Sequence, residues 1–409
     1  MPPDSPQPIA EPAAAEALRG RARMFAVVRS PDAPTLLAAR TLGSLPVGMV
    51  PLGIILLLRA EGRSYGVAGL ADGTYALGFA VMQPLLGRLI DRFGMGRVLT
   101  PLAVVFPTLL VALVLSASRG TPAIVTIVLA PLAGGTLPPL GACMRSLWPT
   151  LIASPGLRST AFAIDAMLQE LTFIIGPPVL ALLVALVGPR VALLAAAGCG
   201  SLGGIAFTLR AHSRHVRTPR LGGALRSAAV RRLIAVSGLL GGAFGATEVA
   251  MPAFCERHDS RPLAGLMLAA IALGSAFGGA IFAGRAPNVP ATRRVLLAMG
   301  CYGIALLPLL LAPSIPVMAV LAFISGMPIA PAYAGLYLLL DRFCVPGTLT
   351  ETFAWNAMCL FAGVSLGTAL GGALIGPGSY RASLGLGAAL GLACALLVAR
   401  SARGWRLES

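Results

Sequence analysis

Residues 87–99 read GRLIDRFGMGRVL. This charged stretch separates two apolar runs, 66–86 and 98–118, each long enough to cross a bilayer. Gly87 has no Cβ, so a neighbouring helix end can come close to it. Asp91, Arg92 and Arg97 place fixed charge at a membrane surface, and Gly94 supplies a left-handed turn on which the chain doubles back. Two spanning helices joined by a tight charged turn make the chain an all-α membrane protein.

Composition agrees. Of 409 residues, 57% are hydrophobic and 11% charged, with a mean hydropathy of +0.85. A soluble domain carries about a quarter charged residues, so most of this surface faces lipid. The net charge of +16 is dispersed between apolar runs and forms no face for nucleic acid. All 31 basic residues are arginine, a bias expected of a GC-rich, actinobacterial type of genome. The seven cysteines (143, 199, 255, 301, 344, 359 and 394) form no CxxC and read as small core residues. His212, His215 and His258 all fall in loops, so no HExxH metal site lies in a span, and a chain without lysine has no phosphate-binding GxxxxGK[ST] loop. The expectation is a non-enzyme with no cofactor and no metal.

Residues 1–33, rich in Pro, Ala and Arg, read as a disordered cytoplasmic tail with no cleaved signal peptide. Twelve apolar runs follow: 34–58, 66–86, 98–118, 122–144, 160–187, 190–209, 232–254, 262–283, 295–312, 315–340, 351–375 and 380–399. With the N-terminus inside, 24 arginines fall on the cytoplasmic side, Arg40 among them, and seven fall outside. The positive-inside rule therefore supports twelve spans with both termini cytoplasmic.

The chain also repeats itself. Residues 68–80 (AGLADGTYALGFA) align with 264–276 (AGLMLAAIALGSA) at an offset of 196. FAIDAM at 162–167 aligns with FAWNAM at 353–358 at 191, and Gly134 and Pro139 recur as Gly326 and Pro331 at 192. The expected organisation is two pseudo-symmetric six-helix halves, 34–209 and 232–400, joined by a basic linker, 210–231, with a cytoplasmic tail at 401–409. Runs such as Gly238–Gly242, Gly274–Gly278 and Gly363–Gly367 fit close helix packing within the molecule.

The 87–99 string resembles the loop between helices 2 and 3 of the major facilitator superfamily of secondary transporters, roughly GxLxDRxGRRxxL. Gly87, Leu89, Asp91, Arg92, Phe93, Gly94, Arg97 and Leu99 fit; Met95 and Gly96 depart. The resemblance implies alternating access between two halves, with Asp91 bracing the start of helix 11 near Glu351. Only the middle of the family's antiporter motif survives, as Gly176–Pro177–Pro178. The helix-4 arginine of proton-coupled members is not evident in VLAPLAGGT at 128–136.

Ionisable residues inside spans are costly and mark pathways or pairs. Glu170 lies about 15 Å along helix 5, near the midplane, and Glu248 lies deep in helix 7; either is a candidate for proton coupling or substrate binding. Asp165 with Arg145 reads as a structural or gating ion pair, and Asp72 as a solvated residue at an outer helix end. Gln83, Gln169, Tyr75, Tyr333, Tyr337, Trp355 and Asn356 either line a cavity or pack. The expected activity is proton-driven export of a small organic molecule, with protons and lipids as further partners, by a monomer in a bacterial plasma membrane. Uptake or efflux of a sugar or other metabolite is the alternative, and a non-transporting sensor or scaffold a remote one.

Overall fold

The computed structural model describes residues 21–211, 223–259, 263–284, 290–375 and 380–405. The described residues are helices and short connections, with no strand among them. The first half holds α1 (Ala33–Ala60), α2 (Tyr65–Phe93), α3 (Met95–Ser118) and α4, which is broken into Ala123–Thr136 and Leu140–Leu151. Next comes the stretch Pro155–Ala211, of 57 residues. At about 1.5 Å per residue that run would be more than twice the thickness of a bilayer core. It folds back at Gly188, whose φ of 83° and ψ of 164° are not helical, giving α5 (155–187) and α6 (189–211).

The second half holds α7 (Ala228–Arg257), α8 (Ala264–Gly284), α9 (Ala291–Ala305, extended by a 3₁₀ turn at Pro308–Leu311) and α10 (Ile315–Gly326 and Ile329–Phe343). It ends with α11 (Leu349–Ile375) and α12 (Tyr380–Trp405). Ten described helices are long and apolar enough to cross a membrane. Dividing the longest at Gly188 and adding the 29-residue α2 gives twelve spans. Large apolar side chains such as Leu182, Leu186, Leu209 and Leu311 stand exposed on the outside of the bundle, as they must where the solvent is lipid. The chain is a multi-pass membrane protein.

Local chemistry explains the breaks. Pro138–Pro139 interrupt α4 and Pro328 interrupts α10, because proline removes a helical donor and clashes with the preceding turn. Ser64 and Ser227 cap α2 and α7 by accepting from the N–H groups of Val67 and Val230, each at 3.3 Å. Gly94 joins α2 to α3 at φ 90°, ψ 154°. The positive φ agrees with the sequence reading, but the ψ lies outside the left-handed helical well, in a region essentially reserved for glycine.

The packing repeats as the sequence does. Gly78 and Gly134 seat α2 directly on α4 backbone, against Pro131 and Tyr75. Their repeat mates Gly274 and Gly326 seat α8 on α10, against Phe323 and Ile271. Gly238 and Gly242 meet Gly363 and Gly367 in the same way between α7 and α11, so those glycine runs serve packing within the chain.

Three expectations need correction. Residues 21–28 form a helix inside the stretch read as a disordered tail, and Arg23, Val27 and Ser30 are buried there. Arg40 is a member of the bundle, 1% exposed, and not a surface charge; a carboxylate in α5, described below, holds it inside. The basic linker is shorter than 210–231, since α6 runs to Ala211 and α7 begins at Ala228. Residues 1–20, most of the linker (212–222, with His212 and His215), Arg285 and 406–409 lie outside the described residues.

Candidate functional site: a clasp between the halves and a polar cavity

At the end of the bundle that bears the α2–α3 turn and the linker, Asp91 meets the first turn of α11. Its Oδ1 accepts from the Thr350 N–H at 3.1 Å and its Oδ2 from the Glu351 N–H at 2.8 Å. Four N–H groups at a helix start have no intrahelical partner, and the helix dipole favours negative charge there. One carboxylate therefore satisfies two orphan donors of the other half.

Gly87, one turn before Asp91, makes the approach possible. A Cβ there would lie 2.9 Å from the Glu351 Cα and 2.9 Å from the Ala354 Cβ. Arg88 adds a second bond, donating from Nη2 to Glu351 Oε1 at 2.9 Å and from Nε at 3.2 Å. Sequence reading left Arg88 out of the gate. Its position one turn from Asp91, on the same helix face, was the available signal.

Arg92 and Arg97 are exposed and make no ion pair with described residues; Arg92 stacks on Phe93 at 5.1 Å. Further bonds tie the halves at this end. Arg158 pairs with Asp341 at 3.0 Å, Arg294 donates to Ser159 Oγ at 3.1 Å, and Thr350 donates to Ser146 Oγ at 3.1 Å.

Deeper in the first half, Asp165 of α5 sits between two arginines. Arg145 of α4 donates from Nε to Oδ2 at 2.7 Å, and Arg40 of α1 brings its Nε to 3.3 Å of Oδ1. Arg145 also bonds Gln169 and lies 4.2 Å from the centroid of the Tyr337 ring, which belongs to the other half. The expected Asp165–Arg145 pair is thus one side of a triad. A buried arginine does belong to α4, well past the 128–136 segment where none was found.

Beside the triad lies a cavity of about 60 Å³, lined by Arg40, Arg145, Gln83 and Gln169, with Phe79, Phe173 and Phe361 as its apolar wall. Of the remaining polar candidates, Asn356 accepts from Ser237 Oγ at 2.5 Å in the core of the second half. Tyr75 is buried, and Asp72 keeps one buried carboxylate oxygen without a partner where full solvation was expected.

Glu170 and Glu248 are partly buried, and neither has a hydrogen-bond or ion-pair partner among the described residues. Glu170 lies within electrostatic reach of Tyr302, Tyr333 and Tyr337, and Glu248 of Tyr302. Both glutamates come within electrostatic reach of one phenol, Tyr302, and Glu170 shares Tyr337 with the arginine triad. No group of three or more metal-ligating side chains occurs among the described residues.

Comparison with known proteins places this geometry. The human organic anion transporter MFSD10 (TETRAN) is 20% identical, with 92% of this chain and 99% of that one covered and a TM-score of 0.70. A bacterial homologue of the iron transporter ferroportin, in its outward-facing state, is 14% identical over 90% and 99%, with a TM-score of 0.75. The proton:xylose symporter XylE is 12% identical over 90% and 95%, with a TM-score of 0.63. At these identities the likeness is one of fold. A search of curated proteins gave no match. The family model of the Major Facilitator Superfamily matches residues 36–344, three quarters of the chain. With its two repeated halves and the clasp between them, this chain belongs to the Major Facilitator Superfamily and is a transporter, not an enzyme.

Proposed function

We propose that the protein exports a small organic molecule in exchange for protons across a bacterial plasma membrane, of the actinobacterial efflux type, by alternating access. In this reading the clasp end faces the cytoplasm, both termini lie there, and the structure is the state closed toward the cell interior. The protein works as a monomer. The gate is Gly87, Arg88, Asp91 and Gly94 against α11, with Arg92 and Arg97 as fixed surface charge. The cargoes named for the structural neighbours are an organic anion, iron and xylose, three different chemistries.

The observation that carries the coupling is the pair of glutamates. A carboxylate in a span that holds no ion-pair partner is costly unless it exchanges a proton. Glu170, near the midplane and within electrostatic reach of three phenols, suits that task better than Asp165, which is already engaged by two arginines. The cycle then needs no cofactor. Protonation of Glu170 from outside and its release inside accompany the swing of the halves, and the clasp at Asp91 re-forms each time the inner side closes.

The test is an efflux assay in a bacterium lacking its own pumps, loaded with carboxyfluorescein, a neutral dye or ethidium. Wild-type protein should lower the level of at least one probe, and a protonophore should abolish the effect. Glu170→Gln should lose energised efflux at equal expression while keeping downhill exchange. Uphill efflux with unchanged pH dependence in that variant would assign the coupling elsewhere, with Glu248→Gln the next to measure.

A further inference from the structure

The cavity wall carries an imbalance of charge. Arg40 and Arg145 bring two positive charges, and Asp165 returns one negative charge. Arginine stays protonated in proteins, so the triad is net cationic. Its donors are also incompletely used. Arg40 is 1% exposed; its Nε meets Asp165 only as an ion pair at 3.3 Å, and its Nη1 has no hydrogen-bond partner among the described residues. A buried guanidinium with an idle donor is expensive, so a ligand acceptor that reached it would recover that cost.

The free space lies between the two guanidiniums. At Gly141, on the cavity wall, a Cβ would sit 3.7 Å from Arg40 Nη2, 3.7 Å from Arg145 Nη2 and 3.9 Å from Gln169 Oε1. One nitrogen of each guanidinium therefore borders a place that glycine leaves open, the Arg145 nitrogen being shared with Gln169. Phe79 and Phe173 pack on Phe361, at 5.6 and 5.9 Å between centroids, along the other side of the cavity. The repeat sharpens the point. The second-half mate of Asp165 is Asn356, bonded to Ser237 of α7, so the charge belongs to one half only.

We propose that this cavity binds the carboxylate of an apolar organic anion, with Arg40 and Arg145 holding the head beside Gly141 and the phenylalanines holding the body. The planar guanidinium fork matches a carboxylate in two-point geometry. The aromatic wall alone would equally accept a cation, but the two arginines repel one. The inference names the cargo class for the transport reading above and rests on it for that word alone, since binding is measured without transport.

Purified protein can be titrated with benzoate, benzylamine, benzyl alcohol and inorganic phosphate while thermal unfolding is followed by the fluorescence of its three tryptophans. Benzoate should raise the unfolding temperature, and the amine and alcohol should not. Arg40→Gln should weaken benzoate at least about tenfold, the loss expected for one charged hydrogen bond. Gly141→Val keeps every charge but fills the space, and should weaken benzoate as much. Asp165→Asn removes the competing carboxylate and should tighten benzoate, a direction that simple loss of structure cannot give. Benzylamine binding above benzoate, phosphate binding alone, or unchanged benzoate affinity in both Arg40→Gln and Gly141→Val would overturn the assignment. Benzoate binding by a protein that moves none of the three dyes would support the site and count against the transport reading instead.

Discussion

Asp91 does more than its charge suggests. It accepts from two N–H groups of α11 that have no helical partner, so its loss leaves two donors of the opposite half unsatisfied. Asn offers one oxygen and no charge. Charged hydrogen bonds contribute about 1.5–3 kcal/mol each, so losing one in Asp91→Asn is expected to favour opening of this end by about ten- to a hundredfold. Transport at equal expression should fall strongly with insertion unchanged; wild-type flux would remove Asp91 from the gate. The residue was legible because its motif is local, a string of thirteen positions between two apolar runs. Arg40 was not. A lone arginine near a helix start looks like a snorkelling surface charge, and what holds it inside is a carboxylate 125 positions later in the chain. Hydropathy has no access to that pairing.

Among elements, the contact of α2 with α11 depends on a missing side chain. The site a Cβ would occupy at Gly87 is 2.9 Å from the Ala354 Cβ, whereas a disulfide needs about 3.5–4.5 Å between Cβ atoms. A Gly87→Cys, Ala354→Cys pair therefore requires only a small separation of the helices. In a background without other cysteines it should cross-link under mild oxidation and stop whatever transport the reduced pair retains, and reduction should return it to that level. Failure to cross-link, or full transport when cross-linked, would show that these helices do not close and open against each other. Gly87→Leu should impair transport without any cysteine, because the larger group holds the two helices apart. The twelve apolar runs marked the spans well, since hydropathy reports lipid exposure directly. They marked the fold-back at Gly188 as a gap between two runs, but ended α4 at 144 where its second segment runs to Leu151, because composition averages over a break such as Pro138–Pro139 inside a run.

Across the whole molecule, repeat mates touch each other. Phe162 and Phe353 occupy the same place in the two halves and pack with centroids 5.9 Å apart. Arg145 and Tyr337, mates at an offset of 192, stack at 4.2 Å. Equivalent residues can meet only near the axis that relates them, so the pseudo-twofold passes through this knot at the clasp side of the bundle. The axis was implicit in the sequence as three offsets of nearly one size, but its location was not, because an offset carries no direction in space. The topology has its own test. Reagents applied from outside should reach cysteines placed at residues 61 and 258 and miss one at 215. An external residue 215 would overturn the orientation and the helix count together.

The two bonds of the clasp differ in their exposure. Arg88 is 49% exposed while Glu351 is wholly buried, and the Asp91 contacts lie against a helix terminus. Dissolved ions reach the first and are largely kept from the second. The screening length falls from about 30 Å at 0.01 M to about 8 Å at 0.15 M salt, so only the arginine's share should fade over that range. A thiol reagent acting on a cysteine at residue 354 should therefore react faster as salt rises and then level off. Ionic strength on that side of the membrane would thus set how firmly the gate rests shut, within a floor that salt cannot lower.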